Sequence, residues 1–240
     1  AVPYQADGSN VVGNLVGNDA VITGRNVAAN YLYNANGLTA GFGITSNTKS
    51  RDGQQDLQTG NGYQAKARYA QGVWSVAAAY SQANTDSGTT VNNTAAPTTS
   101  QLTSPVIALT GAGAQVRTQS TVTVLAADYD LAVAKLFAEY GKVEVKNTNA
   151  DATLNNRHAL SVGARVPFGK AWAFVQYSDG KQQNNTGYEG NWKGYSVGAR
   201  YEFSKRTYAY LVDGQSEYTY TAAGDKLKAN QYALGLVHNF

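Results

Sequence analysis

Seven charged residues fall on alternate positions of their segments in this sequence: Lys66 and Arg68, Lys135 and Glu139, Arg165, and Arg200 and Glu202. On an extended chain, residues two or four apart point to one face, so each group places its charges on one side of its segment. The chemistry offered is electrostatic. Cations along a wall concentrate anions beside it and break no bonds. Covalent chemistry has little to work with, because the chain has 0 Cys and 0 Met and its imidazoles are His158 and His238. That inventory excludes thiol nucleophiles, zinc ribbons and iron–sulfur sites. A hydrolase needs an imidazole held beside a Ser or a carboxylate. His158 stands in Asn155-Asn156-Arg157-His158, where only Asp151 could approach through the adjoining connection, and His238 falls on the apolar parity of the last segment. No His/Asp/Glu cluster has metal-ligand spacing, and the glycines are spread through extended segments rather than gathered in a phosphate loop. The residues read as those of a non-enzyme, with no cofactor and no metal.

Composition narrows what could position these charges. The chain has 240 residues, only 15% of them charged, and a formal net charge of +3. Hydrophobic residues make up 42%, yet mean hydropathy is −0.38. No run reaches the ~18 apolar residues of a membrane-crossing helix. A charge of +3 is too small for a nucleic-acid binder, which clusters Lys and Arg on one face. Tyr supplies 17 of the aromatics, against 6 Phe and 3 Trp.

The elements themselves are strands. From Gly194 to Phe203 one parity reads Tyr195, Val197, Ala199, Tyr201 and Phe203, and the other Gly194, Ser196, Gly198, Arg200 and Glu202. A period of two with one apolar and one small or charged face marks a strand between two different solvents. Eleven such segments occur, near 25–33, 37–45, 63–70, 73–81, 119–129, 132–145, 157–166, 171–178, 193–203, 206–218 and 229–240. In 171–178 and 206–218 aromatics fall on both parities, so their faces stay open. Short turns alternate with long polar connections at 46–62, 82–118, 146–156, 179–192 and 219–228. An aromatic stands at or before each short turn: Tyr33, Tyr69, Tyr129, Phe168 and Phe203. Short turns on one rim, long loops on the other and aromatics at strand ends describe an all-β, transmembrane antiparallel β-barrel of the outer membrane. A soluble sandwich has no reason to alternate its turn lengths.

Arg68, Lys135, Arg165 and Arg200 each lie a few residues from a short turn. At ~3.3 Å per residue and a tilt of ~40°, they would form a basic arc about 5–10 Å above the turns. Two readings stay open: the arc favours anions, or it merely hydrates the wall and pairs with Glu139 and Glu202. Eleven is also an odd count, whereas bacterial barrels close with an even antiparallel set. Either a weak strand near Val11–Val16 makes twelve, or the chain is incomplete at its N-terminus, and the latter is the expectation.

The ending Tyr232-Ala233-Leu234-Gly235-Leu236-Val237-His238-Asn239-Phe240 resembles the last strand of Gram-negative general porins of the β-proteobacterial type. So do Ala132-Val133-Ala134-Lys135-Leu136-Phe137 with Tyr140, Gly194 to Tyr201, and Phe203-Ser204-Lys205-Arg206-Thr207. The resemblance implies that residues 25–240 are strands six to sixteen of a sixteen-strand barrel. It makes 1–24 the end of the pore constriction loop, with Arg25, Asp7 and Asp19 as constriction candidates; the acidic loop motif of enteric porins is absent. It implies a passive diffusion channel for small hydrophilic solutes and ions in the outer membrane, with lipid and lipopolysaccharide around it. It also implies a homotrimer, and a C-terminal strand, marked by Tyr232 and Phe240, that the barrel-insertion machinery reads. Three alternatives stay open. A sugar- or organic-acid-selective porin would need an aromatic ladder or arginine track, which Trp172, Phe174, Tyr208 and Tyr210 could supply if they face inward. Outside transport, an adhesin or a barrel hydrolase remains, the former through the long connection 82–118.

Overall fold

Alternation becomes, in three dimensions, one sheet of eleven strands. The computed structural model describes residues 26–47, 58–91, 109–148, 150–184, 189–220 and 226–239. The strands are β1 (Asn26–Ala35), β2 (Leu38–Asn47), β3 (Gln58–Gln71), β4 (Trp74–Val91), β5 (Leu109–Asp130), β6 (Lys135–Asn147), β7 (Ala152–Phe168), β8 (Ala171–Asn184), β9 (Glu189–Ser204), β10 (Thr207–Tyr220) and β11 (Lys226–His238). Each pairs antiparallel with its neighbours in chain order, so β1 and β11 run in the same direction.

Tight turns gather on one rim. Asn36 and Gly37 both take positive φ, 48° and 81°, as a two-residue turn matched to the right-handed strand twist requires. Neighbouring turns are stitched together: the Ala70 N–H donates to the Gly37 carbonyl at 2.9 Å, Asp130 to Val73 at 2.7 Å, and Glu202 to Lys170 at 2.8 Å. One expected strand start shifts. Ala132-Val133-Ala134 belongs to a turn and β6 begins at Lys135, because Ala132 has φ 68° and donates its N–H to the Asp130 carboxylate at 2.8 Å. On the other rim the strands outrun the sequence reading. Of the connection expected at 82–118, β4 takes residues to Val91 and β5 takes those from Leu109, and 92–108 lie outside the described residues. Similarly, β7 starts at Ala152, where a bulge opposite Val145 and Lys146 accommodates Leu154.

The two faces have opposite character, and the polar one is the more buried. Fully buried side chains include Ser161, Ser178, Ser196, Gln176 and Arg157, while Phe42, Leu160, Val197, Leu211 and Leu234 are exposed. Registers join these sets into continuous faces across the sheet, for example Ser161–Ser178–Gly194–Ser216 inside and Leu136–Ala164–Val175–Val197 outside. Such a protein is inverted relative to a water-soluble one, and hydrocarbon is the solvent that makes this favourable. Among the described residues the outward band carries one charged side chain between its aromatic rows, Asp213, which pairs with Val197 and Tyr232. Three strands each carry a pair of outward aromatics six residues apart: Tyr63 and Tyr69, Trp74 and Tyr80, Tyr195 and Tyr201. Six residues span ~20 Å along a strand and ~15 Å along the normal of a tilted one, within the ~25 Å apolar band of such barrels.

Above that band the polarity reverts. Lys142 and Lys146 face outward past Tyr140 and clasp Glu144 at 3.1 and 2.9 Å, while Val122, Val143, Val145 and Leu154 cluster inside. Glu217 is paired in the same way with Lys226 and Lys228 at 3.1 and 3.3 Å. Apolar inside and charged outside is the pattern of strands standing in water, so the inversion marks where the wall leaves the lipid.

Candidate functional site: the inner wall

Parity and register settle which side each charge takes. The inward row of β3 carries Lys66 and Arg68, opposite Ala79 and Ala77 of β4. Lys135 of β6 pairs directly with Arg165 of β7, and Glu139 with Ser161. Arg200 of β9 lies opposite Trp172 of β8 and Tyr210 of β10, and Glu202 opposite Tyr208. All seven side chains singled out in the sequence therefore share the polar, concave face. Arg25, Asp7, Asp19 and Phe240 lie outside the described residues, as does the segment 1–24. Tyr232 is on the outer face, highly exposed beside Leu234 and Leu236.

The basic arc is partly neutralised. Lys135 Nζ lies 2.6 Å from Asp128, which also accepts a hydrogen bond from the Ser75 hydroxyl. Arg200 Nη2 lies 3.1 Å from Glu202. Lys66 and Arg68 are exposed to the concave space. Glu139 is buried among inward neighbours. Ser161 and Ser178 share a hydrogen bond of 2.5 Å across β7 and β8.

Three inward charges escaped the sequence reading, among them Asp130, paired with Lys135 at the end of β5. Asp128 stood at the end of a segment whose inward set was read from its cations. Arg157 opened its expected strand, so only the eight-residue step to Arg165 marked its parity; it is fully buried on the inner face, opposite Val143 and Gln182. Counted together, Lys66, Arg68, Lys135, Arg157, Arg165 and Arg200 share the described wall with Asp128, Asp130, Glu139 and Glu202, six cations to four carboxylates.

The open question over β8 and β10 is also resolved. Trp172 and Phe174 share the inward row with Gln176 and Ser178, while Val175 and Tyr177 are exposed outside. In β10, Tyr208, Tyr210 and Tyr218 are inward and Leu211 is outward. Inward rings lie against glycines on the next strand: Phe137 over Gly163, Phe174 over Gly198 and Tyr210 over Gly235. A Cβ at any of these glycines would strike the ring, so the missing side chains make the seats.

The histidines are placed as the parity indicated. His158 is outward, with its ring centroid 6.4 Å from that of Tyr140, and His238 is outward with Nδ1 2.8 Å from the Thr207 hydroxyl. Both are on the opposite face from Asp128, Glu139 and Glu202. Among the described residues no group of three His, Asp or Glu side chains is placed to hold a metal.

A single antiparallel sheet of this order, polar on one face and apolar on the other, has counterparts of the same fold among solved structures. In-vitro folded OmpT, an outer membrane protein of Vibrio cholerae, aligns over 98% of this chain and 69% of its own, at 15% identity and a TM-score of 0.65. An anion-selective porin from Comamonas acidovorans aligns over 89% and 59%, at 19% identity and a TM-score of 0.63. Salmonella typhi OmpF, in complex with daunomycin, aligns over 89% and 61%, at 22% identity and a TM-score of 0.55. The chain thus spans between 59% and 69% of the length of these structures, and at such identities the likeness is one of fold, the β-barrel of outer-membrane porins. No curated protein matches it. The family model for Gram-negative porins matches residues 1–220, and the chain belongs to that family, as a protein of the outer membrane.

Proposed function

We propose that this protein is a passive, water-filled diffusion channel for small hydrophilic solutes and ions, with a mild preference for anions. The observation that carries the reading is the inversion of faces. A largely apolar band outside, with Asp213 as its one charge among the described residues, is suited to lipid, and a wall of serines, glutamine and paired and exposed charges inside is suited to water. Six inward cations against four carboxylates bias the field toward anions, and Lys66 and Arg68 are the most open of the cations. Conduction through such a wall needs no cofactor and no covalent step. The likeness to an anion-selective porin from Comamonas acidovorans supports the sign of the preference.

In the membrane the channel is surrounded by lipid and, on the outer leaflet, lipopolysaccharide. It assembles as a homotrimer, and its C-terminal strand, with Tyr232 and Phe240, is read by the insertion machinery. Residues 1–24 supply part of the constriction. These assignments extend the family reading to the whole protein.

The selectivity is tested by reversal potentials across a planar bilayer under a KCl gradient. The unaltered protein is expected to reverse on the chloride side. Replacing Lys66 and Arg68 together by Glu leaves four cations against six carboxylates. That change should lower the chloride-to-potassium permeability ratio by at least about twofold. The effect should shrink in molar salt, where the Debye length falls to ~3 Å. An unaltered reversal potential would remove these two residues from the conducting wall.

A further inference from the structure

Inward aromatics in a water-filled channel have no core to join, and four neighbouring strands here arrange them alternately with cations. Arg165 of β7 holds its Cζ 5.4 Å from the ring centroid of Trp172 on β8. Trp172 is directly opposite Arg200 of β9 in the register. Arg200 in turn lays its Cζ 3.5 Å from the ring centroid of Tyr208 on β10. Phe174 and Tyr210 extend the two aromatic positions upward, at centroid distances of 6.1 Å from Trp172 and 6.5 Å from Tyr208. The order across the wall is Arg, Trp, Arg, Tyr, a few residues from the short turns. Trp172, Tyr208 and Tyr210 remain half-exposed to the concave space.

Each part of this strip has a defined use. A guanidinium stacked on a ring is held by its face, which fixes the plane in which its N–H groups point. One edge of Arg200 is engaged by Glu202, and a second planar acceptor can approach another. Carboxylates are the anions that match such a fork. Trp172 lies between two guanidiniums set two strand spacings apart, ~10 Å, so a flat apolar body resting on its ring has a cation on either side. Chloride needs no ring, and a neutral sugar needs no arginine pair.

We propose that the strip Arg165–Trp172–Arg200–Tyr208 is a binding subsite for aromatic carboxylates, which the channel holds briefly during passage. The ring of the solute stacks on Trp172 or Tyr208 and its carboxylate is passed between Arg165 and Arg200. This inference rests on the channel reading above and names a solute class for it.

The test is current block in planar bilayers by the protein purified from outer membranes, in KCl with benzoate, acetate, benzyl alcohol or D-glucuronate added. Benzoate is expected to reduce single-channel current at millimolar concentration, with half-block at least about fivefold below that of acetate. Trp172→Ala and Tyr208→Ala should each raise the benzoate half-block concentration about three- to tenfold while leaving KCl conductance within twofold. Trp172→Leu serves the same purpose if the alanine variant does not fold, and the benzoate–acetate comparison needs no variant. Equal block by acetate would show that the rings are unused and would overturn the proposal. Equal block by benzyl alcohol would remove the arginines, and stronger block by glucuronate would replace the solute class by sugar acids. A protein that conducts KCl but ignores benzoate defeats the subsite alone, whereas one that conducts nothing defeats the channel reading itself.

Discussion

Ala78→Arg is expected to cost about 2–4 kcal/mol of stability in a lipid bilayer, while Ala79→Arg, one residue on, should cost under about 1 kcal/mol. The two alanines are adjacent on β4, equal in size and both exposed. They differ only in face. Ala78 pairs with Ala67 and Leu125 on the outer side, between Trp74 and Tyr80, so its replacement forces a guanidinium into hydrocarbon. Ala79 pairs with Lys66 and Val124 on the inner side, so its replacement meets water and one like charge. Urea titration of the two variants folded into vesicles, read by the mobility shift of the folded barrel on gels, measures the difference directly. Equal costs, or a larger cost at position 79, would mean that the faces are assigned the wrong way round.

Gly163→Ala should destabilise the barrel by about 1–3 kcal/mol, although alanine normally improves on glycine in a strand by ~0.5–1 kcal/mol. A Cβ at this position would strike the ring of Phe137, with Cε2 at 2.7 Å, and the backbone carbonyl of Val175 at 2.5 Å. The ring could turn aside, but the carbonyl belongs to the β7–β8 ladder and cannot move without loosening it. Combining Gly163→Ala with Phe137→Leu should therefore recover only part of the loss. Full recovery would assign the whole conflict to the ring, and a neutral single variant would deny the close seat of Phe137 on the wall. The same vesicle titration decides between these outcomes.

How much of this was legible beforehand follows from the physics of each feature. Period-two alternation is imposed by two solvents, so eleven strands and the faces of Lys66, Arg68, Lys135, Glu139, Arg165, Arg200 and Glu202 could be read from parity. Strand ends could not. Above the lipid the outward residues become Lys142, Glu144 and Lys146, and the inward ones Val143 and Val145. Alternation persists there with its meaning reversed, so the segment 132–145 can be read through it, but an apolar-out parity no longer marks which face is which. Arg157 stood at the margin of its expected strand, and the run of small polar residues after Ser81 has no apolar parity by which β4 could be extended. Parity was equally silent for Trp172 and Tyr208, since both rows of their strands hold aromatics. Only register against Arg200 and the exposed Val175 assigned them inward. Partnering was legible in part: Glu202 was a candidate for the arc's cations, but the Lys135–Asp128 pair joins adjacent strands across a turn and needed their alignment.

The central claim is that the polar face of this sheet encloses a continuous aqueous path. Single-channel recording in planar bilayers across a range of KCl concentrations tests it most directly. A water-filled channel predicts discrete current steps, ohmic at low voltage, whose conductance rises nearly in proportion to bulk salt, with the deviation at low salt favouring chloride. Stable insertion without current steps, or conductance that saturates at millimolar salt, would contradict it.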